Sequence, residues 1–394
     1  MDFKSKFQKY QKFFREHIVL NPKFKWYRRI IWAISFLWAF VLIIQSVPYY
    51  TAIGKGDSAY KAANYAEAER QFKIALAESQ RFSRTDLRRA KALNNLAELY
   101  RTEARYKEAE PLYQESINIA QKLGPHKEEY PLAINNLASF YRDAGHYAES
   151  EKQFTQALLI WDTNVNKPND IKRAAILNGL GKLYRDQGKY KKAEELYKQA
   201  LAMKQKILGP NDLEIATVLG NLGGVYRDEG RYKESEQMYL QALLIDQTIL
   251  GPKHPYVATD KNNLGGLYRD MGRFSQAELL YQDALTIRAK ILGPTHPLIA
   301  KSLSGLAEVR KEQKRYSEAE HLLLQAIAIQ INTLGHQHPD LATTYDALGL
   351  LYLCEHKYAQ AKIALTNSLT IRIHSLPKEH PDIKVSYLHL SQLP

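Results

Sequence analysis

The sequence NLGGLYRDMGRF at residues 263–274 decides the fold, because related stretches return along the chain about every 42 residues. A fixed period of this length is typical of a solenoid, in which each unit buries its apolar face against its neighbours. The place of the tyrosine is held in turn by Tyr100, Tyr141, Tyr184, Tyr226, Tyr268, Arg310 and Tyr352. The chain is therefore predicted to be a repeat protein, a class that usually binds other molecules and seldom catalyses reactions.

Each repeat has the pattern of two amphipathic helices joined by a short turn. Apolar and small residues recur at helical spacing before Gly272 and again after it. Glycine suits the turn because it tolerates a positive φ angle. The second helix ends in Leu-Gly-Pro at 292–294, and the next repeat begins with His-Pro at 296–297. Glycine fits the left-handed residue after a helix, and proline fits the first turn of the following one.

The positions of small and aromatic residues, seen at Gly265, Ala277, Tyr281 and Ala284, resemble the tetratricopeptide repeat. The 42-residue period and the Leu-Gly-Pro-x-His-Pro linker are similar to the longer variant in kinesin light chains and many bacterial proteins. The resemblance implies an all-α, right-handed superhelical solenoid over residues 56–394, with one degenerate repeat, seven repeats and a truncated last helix. Kinesin light chains carry heptads before their repeats. An apolar segment stands there instead, so we do not interpret the chain as a motor subunit.

That apolar segment, residues 30–47, reads IIWAISFLWAFVLIIQSV and contains no charged residue. As a helix it would extend about 27 Å, close to the roughly 30 Å hydrocarbon core of a bilayer. We therefore predict a transmembrane helix at 30–47 and a linker at 48–55. A cleaved signal peptide is the alternative, but the 29 residues before the segment and the lack of an Ala-x-Ala site favour an uncleaved anchor.

The charges around this segment predict its orientation. Residues 1–29 hold nine basic and two acidic residues, a net charge of +7, whereas only Lys55 and Lys61 are basic in the twenty residues after Val47. The positive-inside rule then keeps the N-terminus in the cytoplasm and places the repeats outside it, as in a bacterial inner-membrane protein with a periplasmic domain. Cytoplasmic repeats are the alternative. Residues 1–29 also read as a basic amphipathic segment suited to an anionic leaflet, and an unstructured basic tail that only sets the topology is the alternative.

Composition argues against nucleic-acid binding and against catalysis. The formal charge is +13, and without the first 29 residues it falls to +6 (13 − 7), with acids interleaved and no basic stripe. The one cysteine, Cys354, cannot form an internal disulfide. No P-loop, GxGxxG, HExxH, GxSxG or paired-cysteine motif occurs. The sequence therefore predicts no enzyme, no catalytic residue and no cofactor.

The recurring histidines belong to a residue type that often binds metal ions. His254, His296, His338 and His380 occupy equivalent loops. Such loops lie roughly 10 Å apart in a stack of packed helices, whereas ligands must lie about 2 Å from a zinc ion. The sequence therefore predicts a structural role for these histidines, in loop geometry and helix capping, and no metal site.

The resemblance implies a concave groove lined by the first helix of each repeat. An asparagine ladder there would offer a donor and an acceptor per repeat to an extended peptide, and an arginine ladder could bind acidic side chains. Gly224 and Gly266 are expected to deepen the groove. Pairing between arginine and aspartate of successive repeats is the structural alternative. The predicted partner-binding residues are Asn94, Asn135, Asn178, Asn262, Arg142, Arg185, Arg227 and Arg269.

These patterns together predict a membrane-anchored scaffold or adaptor that binds a peptide or protein partner in its groove. The alternative function is an assembly component that self-associates, as a homo-oligomer, or docks into a membrane complex through the ends and convex surface of the solenoid. The truncated helix near Leu393 motivates this alternative.

Overall fold

A computed structural model describes residues 25–83, 85–165, 170–378 and 380–394. The chain forms seventeen α-helices in these ranges, which confirms the prediction of an all-α stack of helix-turn-helix repeats. A π-helical turn at Trp161–Val165 extends the helix that ends at Ile160. The helices are α1 Lys25–Lys61, α2 Tyr65–Ser79, α3 Leu87–Thr102, α4 Tyr106–Leu123, α5 Glu129–Asp143, α6 Tyr147–Ile160, α7 Ile171–Asp186, α8 Tyr190–Leu208, α9 Leu213–Asp228, α10 Tyr232–Leu250, α11 Pro255–Asp270, α12 Phe274–Leu292, α13 Pro297–Glu312, α14 Tyr316–Leu334, α15 Pro339–Cys354, α16 Tyr358–Ser375 and α17 Pro381–Leu390.

The first helix of most repeats begins at a side chain that caps it. The Asp212 carboxylate accepts a hydrogen bond from the backbone N–H of Glu214 at 2.8 Å. In later repeats a histidine has this role, and a proline follows at the first helical position. The Nδ1 atom accepts from the backbone N–H two residues further on at His254, His296, His338 and His380. The recurring histidines thus have the capping role that the sequence predicts.

The turn inside each repeat requires one left-handed residue. Glycine provides it in four repeats, at Gly145, Gly188, Gly230 and Gly272, with φ between 69° and 77°. The equivalent turns of the other repeats use residues with a side chain, at φ between 54° and 61°: Ala63, Ala104, Lys314 and His356. The turn geometry is therefore kept throughout the solenoid, even where the residue does not favour it.

The aromatic residue that marks the period joins successive repeats. The Tyr226 hydroxyl donates a hydrogen bond to Glu194 of the preceding repeat at 2.9 Å, and equivalent bonds recur along the stack. Arg310 replaces the tyrosine in one repeat and forms an ion pair with the equivalent glutamate, Glu278, at 2.5 Å. One hydrogen-bonding contact between repeats is thus preserved despite the substitution.

The superhelix also contacts itself one turn later. The Nε2 atom of His338 lies 3.0 Å from the backbone oxygen of Thr102, which is 236 residues earlier in the chain. One repeat further on, Nε2 of His380 lies 3.3 Å from the Tyr147 hydroxyl, 233 residues earlier. His296 similarly bonds the backbone of Lys61. Between five and six repeats therefore complete one superhelical turn, and three capping histidines join consecutive turns.

The N-terminal part of the described chain is a long helix, α1, which runs through Pro48 into the first repeat. The predicted transmembrane segment 30–47 lies within it, but its side chains at 30–32 and 34–43 are outside the described residues, as is the whole of 1–24. The described residues include no helix that is both long and apolar enough to cross a membrane. Residues 48–55, predicted to form a linker, continue α1 and bring Tyr49, Ala52 and Ile53 into the core.

Candidate functional site

The concave side of the solenoid holds all eight predicted partner-binding residues, divided between two neighbouring pockets. The first pocket has a volume of about 390 Å³ and is lined by Asn94, Asn135, Asn178 and Arg142. The second has a volume of about 560 Å³ and is lined by Arg185, Arg227, Asn262 and Arg269. The first helices of the repeats supply these side chains, as the sequence predicts. Their role in binding a partner stays a prediction.

The arginines of the ladder are paired with aspartates, three of them with the aspartate of the following repeat and Arg269 with its neighbour Asp270. Arg185 Nε lies 2.6 Å from Asp228 Oδ2, and Arg227 Nε lies 2.5 Å from Asp270 Oδ2. The structural alternative considered for this ladder is thus present in the fold. These ion pairs are partly exposed, so each contributes about 1 kcal/mol or less to stability.

The two glycines of the groove do not deepen it, and the expectation that they would is wrong. A Cβ atom at Gly224 would lie 2.6 Å from Nη1 of Arg185, and one at Gly266 would lie 2.7 Å from Nη1 of Arg227. The guanidinium groups therefore occupy the space that the missing side chains leave. Glycine at these places lets each arginine reach across to the aspartate of the next repeat.

The asparagine ladder is also partly used within the protein. The amide of Asn136 donates to Asn94 Oδ1 at 2.7 Å, and the amide of Asn221 donates to Asn178 Oδ1 at 2.9 Å. Asn262 is buried, and its Oδ1 atom accepts a hydrogen bond from Ser302 at 2.9 Å. These amides hold adjacent repeats in register, and only their remaining polar atoms can contact a ligand.

Two lysines that the sequence analysis did not single out change the charge of the second pocket. Lys182 and Lys301 both line it, and neither forms an ion pair with another described residue. Lys301 stays accessible to water although the concave wall surrounds it. Desolvation by the surrounding wall lowers the pKa of both lysines, and Arg142 lowers that of Lys182 further. Helical spacing could have identified them, because Lys182 follows Asn178 by four residues and Lys301 precedes Ser304 by three.

The second pocket is consequently basic. Its lining includes five basic side chains and no aspartate or glutamate: Lys182, Arg185, Arg227, Arg269 and Lys301. Asp228 and Asp270 neutralise part of this charge, because they form ion pairs with Arg185 and Arg227. Such a surface attracts an anionic group, because charge-assisted hydrogen bonds to carboxylates are stronger than neutral ones. In the described part of the chain, no group of three or more His, Cys, Asp or Glu side chains is placed to hold a metal ion.

Comparison with known proteins agrees with this architecture. A family model described as tetratricopeptide repeat matches residues 50–122, 130–206, 214–290, 262–332 and 298–373. No match was found among curated proteins. The Cut9–Hcn1 hetero-tetramer of the APC/C has a similar structure, with a TM-score of 0.55, 15% identity, and coverage of 87% of this chain and 55% of that chain. At this identity the similarity concerns the fold alone.

Two further solved structures are similar over a shorter length. BtubC (BKLC) from P. vanneervenii is 23% identical with a TM-score of 0.49, over 59% of this chain and 94% of that one. The nearly identical TPR-like repeats of a proposed kinesin light chain from Podosopora anserina are 25% identical with a TM-score of 0.42. That comparison covers 52% of this chain and 98% of that one.

Proposed function

We propose, from the premise that the chain belongs to the tetratricopeptide repeat family, that its solenoid is a protein-interaction scaffold whose concave side binds an extended acidic segment of a partner. The observation that carries this proposal is the pair of lysines, Lys182 and Lys301, on one basic pocket. They come from different repeats and neither forms an ion pair with a described residue, so a ligand can supply the carboxylate. The amide of Asn263 on the same wall can bond a peptide backbone.

A peptide pool tests this proposal without knowledge of the natural partner. The probe is a fluorescent pool of octapeptides in which glutamate alternates with uncharged residues. A matching pool carries lysine in place of glutamate. We expect anisotropy to show binding of the acidic pool alone, and the affinity to fall with added salt because part of the site is exposed.

The double variant Lys182→Ala/Lys301→Ala should bind the acidic pool about tenfold more weakly or worse, because each lysine supplies a charge-assisted hydrogen bond. Its control, Lys206→Ala/Lys253→Ala, removes two exposed lysines outside this pocket and should bind like the wild type. Equal binding of the two pools, or full affinity in the Lys182/Lys301 variant, would show that this pocket does not recognise an acidic segment.

We also propose that residues 30–47 anchor the scaffold in a membrane with the repeats on the extracytoplasmic side. The uncharged sequence and the +7 charge before it support this placement. The backbone of α1, which is helical from Lys25 into the first repeat, is compatible with an anchor joined rigidly to the solenoid. A reporter fused after Pro394 that is active only outside the cytoplasm, combined with protease access to the repeats, tests it. An inactive reporter with protected repeats would instead assign the repeats to the cytoplasm.

One observation favours assembly as a second candidate function. Tyr387 and Leu388 of α17 are 56% and 61% exposed at the end of the described solenoid. An apolar helix face of this kind can pack on a second copy. Light scattering at high protein concentration should then show dimers, and Leu388→Glu should remove them. A wild-type protein that stays monomeric would exclude self-association through this end.

A further inference from the structure

One buried position on the second helix of each repeat carries a polar side chain that faces the next repeat. Its occupant changes along the solenoid, whereas the surroundings are repeated. From the fourth repeat onwards the position holds Lys204, Asp246, Arg288, Gln330 and Arg372, all of them less than 9% exposed.

The contacts of Arg288 show which groups surround the side chain at this position. Its Nη1 atom donates to the backbone oxygen of Leu298 at 2.8 Å and to Ser302 Oγ at 2.5 Å. Its Nη2 atom donates to Thr259 Oγ1 at 3.2 Å, and Asn262 Oδ1 lies 3.4 Å from Nη1. Four groups of the chain thus form a cradle for one buried guanidinium.

The same cradle recurs two repeats later. Arg372 Nη1 donates to the backbone oxygen of Asp382 at 3.2 Å and to Ser386 Oγ at 2.6 Å, and it lies 3.7 Å from Asp346 Oδ1. Between these two repeats, Gln330 donates to the equivalent backbone oxygen, that of Asp340, at 3.3 Å. Three consecutive repeats therefore place a donor in this cradle.

One repeat before Arg288, the donor is missing and two of the four cradle groups are different residues. The residues 42 positions before its four cradle residues line a pocket of about 170 Å³: Thr217, Gly220, Tyr256 and Asp260. Asp246, also in the lining, stands where Arg288 stands in the next repeat. It is an acceptor, so it cannot fill the cradle as Arg288 does.

The two aspartates of this pocket are placed to receive a cation. Asp246 and Asp260 are only 6% and 7% exposed, and one oxygen of each, Oδ1 and Oδ2 respectively, has no hydrogen-bond partner among the described residues outside this pair. Gly220 stands in the place of Asn262, and a Cβ built on it meets no atom within 4 Å. The pocket therefore combines free space with two buried carboxyl groups that have only each other as partners at these oxygens.

We propose that this pocket binds the guanidinium group of an arginine that belongs to the partner segment, in the manner in which the next repeat binds Arg288. The inference rests on the proposed function in one respect, namely that the arginine is carried by a segment lying in the groove. Gly220, Asn221, Thr259 and Asn263 line both this pocket and the basic concave pocket, so one segment can reach both. The partner would then carry an arginine beside its acidic residues.

The charges of the pocket agree with this ligand. Burial raises the pKa of both carboxyl groups, and the neighbouring Asp246 raises that of Asp260 further, whereas the hydrogen bond with Asp260 and the charge of His254 lower that of Asp246. The raised pKa of Asp260 favours a proton shared between the two carboxyl groups while no cation is bound. A guanidinium offers five donors in a planar fork, which suits two acceptor oxygens, and its charge would displace the shared proton.

Agmatine, which has a guanidinium on a short alkyl chain and no carboxylate, is the probe for this site. We expect calorimetry at pH 7 to detect its binding to the whole chain. Titrations in two buffers with different ionisation enthalpies should show that a proton is released. Butylamine and Ca²⁺ should bind more weakly. Tighter binding of Ca²⁺ would overturn the assignment in favour of a metal site.

Two kinds of variant test whether Asp246 and Asp260 bind the guanidinium group. Asp246→Asn and Asp260→Asn should each weaken agmatine binding about tenfold or more and remove the proton release, because each loses a charged acceptor. Asp246→Arg should place a guanidinium group of the protein itself in the pocket, as Arg288 does in the next repeat. The variant should stay folded and should no longer bind agmatine. The control, Asp283→Asn, removes an exposed carboxylate elsewhere and should bind agmatine normally. Undiminished binding in Asp246→Arg would refute the proposal.

The agmatine experiment can succeed or fail independently of the peptide experiment that tests the proposed function. Agmatine carries no acidic group, so Lys182→Ala/Lys301→Ala should bind it as the wild type does. Binding of agmatine without binding of the acidic peptide pool would reject the acidic groove and keep the guanidinium pocket. Binding of the acidic pool without agmatine would reject the pocket alone.

Discussion

At the scale of single residues, identical glycines have different roles according to what surrounds them. Gly305, in α13, lies against the ring of Tyr281, and a Cβ atom built on it would be 2.4 Å from Cε1. Gly220, in α9, has no atom within 4 Å of the same Cβ position. Both lie inside a first helix, so the helical preference of the substituted residue is the same for the two sites.

The substitution Gly305→Ala should destabilise the protein by about 1–3 kcal/mol, because the buried Tyr281 ring cannot move away without repacking. Gly220→Ala is the matched control and should stabilise it by up to about 1 kcal/mol, since alanine is the better helix former. Urea unfolding measures both. A stabilised Gly305→Ala variant would show that the ring is free to yield.

Repeat alignment located the groove residues, because each place on one repeat transfers to the next. It could not locate Lys182 or Lys301, whose places hold other residue types in neighbouring repeats, such as Gly224 and Thr259. The pairing of Arg185 with Asp228 and the burial of Asn262 also depend on how far one repeat rotates relative to the next. The sequence pattern leaves that rotation undefined.

At the scale of the elements, the turn inside each repeat is the most uniform feature. Lys314 has φ of 61° and His356 has φ of 58°, where other repeats place glycine. A left-handed conformation costs a residue with a Cβ atom roughly 1–2 kcal/mol. The fold tolerates this cost because the two helices on either side are packed in place by their neighbours.

Lys314→Gly should therefore raise the stability by up to about 1 kcal/mol, by relieving the strain in the α13–α14 turn. The reverse substitution at an equivalent turn, Gly272→Ala, should lower the stability by a similar amount. Thermal unfolding of both variants measures the effect. If Lys314→Gly were destabilising, contacts of the lysine side chain would outweigh the backbone strain.

The helix pairs and their caps could be predicted from period, glycine and His-Pro signals, because these signals are local. The continuity of α1 through Pro48 could not, since proline usually interrupts a helix. The helix continues there because Tyr49, Ala52 and Ile53 gain a place in the core of the first repeat. Tertiary packing thus overrides a local stop signal.

At the scale of the whole molecule, the contacts between superhelical turns distinguish this chain from a solenoid held by nearest neighbours alone. They involve residues 233 and 236 positions apart, a separation at which no sequence pattern indicates contact. The histidines at these contacts also cap helices. His254 has the same capping place, and among the described residues it makes no hydrogen bond to another superhelical turn.

His338→Ala and His254→Ala should each cost about 1 kcal/mol through loss of a helix cap. Only His338→Ala also removes the bond to Thr102, so we expect a larger loss there, by about 0.5–1.5 kcal/mol. Small-angle scattering of His338→Ala/His380→Ala should show a larger radius of gyration, whereas His254→Ala should keep the wild-type value. Equal dimensions in all three proteins would mean that the turn contacts do not hold the superhelix closed.

Acidification should weaken the contacts that the histidines make between superhelical turns. Burial lowers the pKa of His296 and His380 below the value of about 6.5 in an unfolded chain. Their contribution to stability is therefore complete above pH 6.5 and is lost as the pH falls towards the lower folded values. His296→Asn/His380→Asn keeps a capping side chain without this titration. The melting temperature of the wild type should fall more between pH 7.5 and 5.5 than that of the variant.

Lysine footprinting tests most directly whether the concave pocket is the binding surface. The protein is acetylated in limiting reagent with and without the acidic peptide pool, and the modification of each lysine is read by mass spectrometry. Our account predicts that the pool slows acetylation of Lys182 and Lys301 and leaves Lys206 and Lys253 unchanged. Uniform protection of all four lysines, or protection of Lys206 and Lys253 alone, would contradict it.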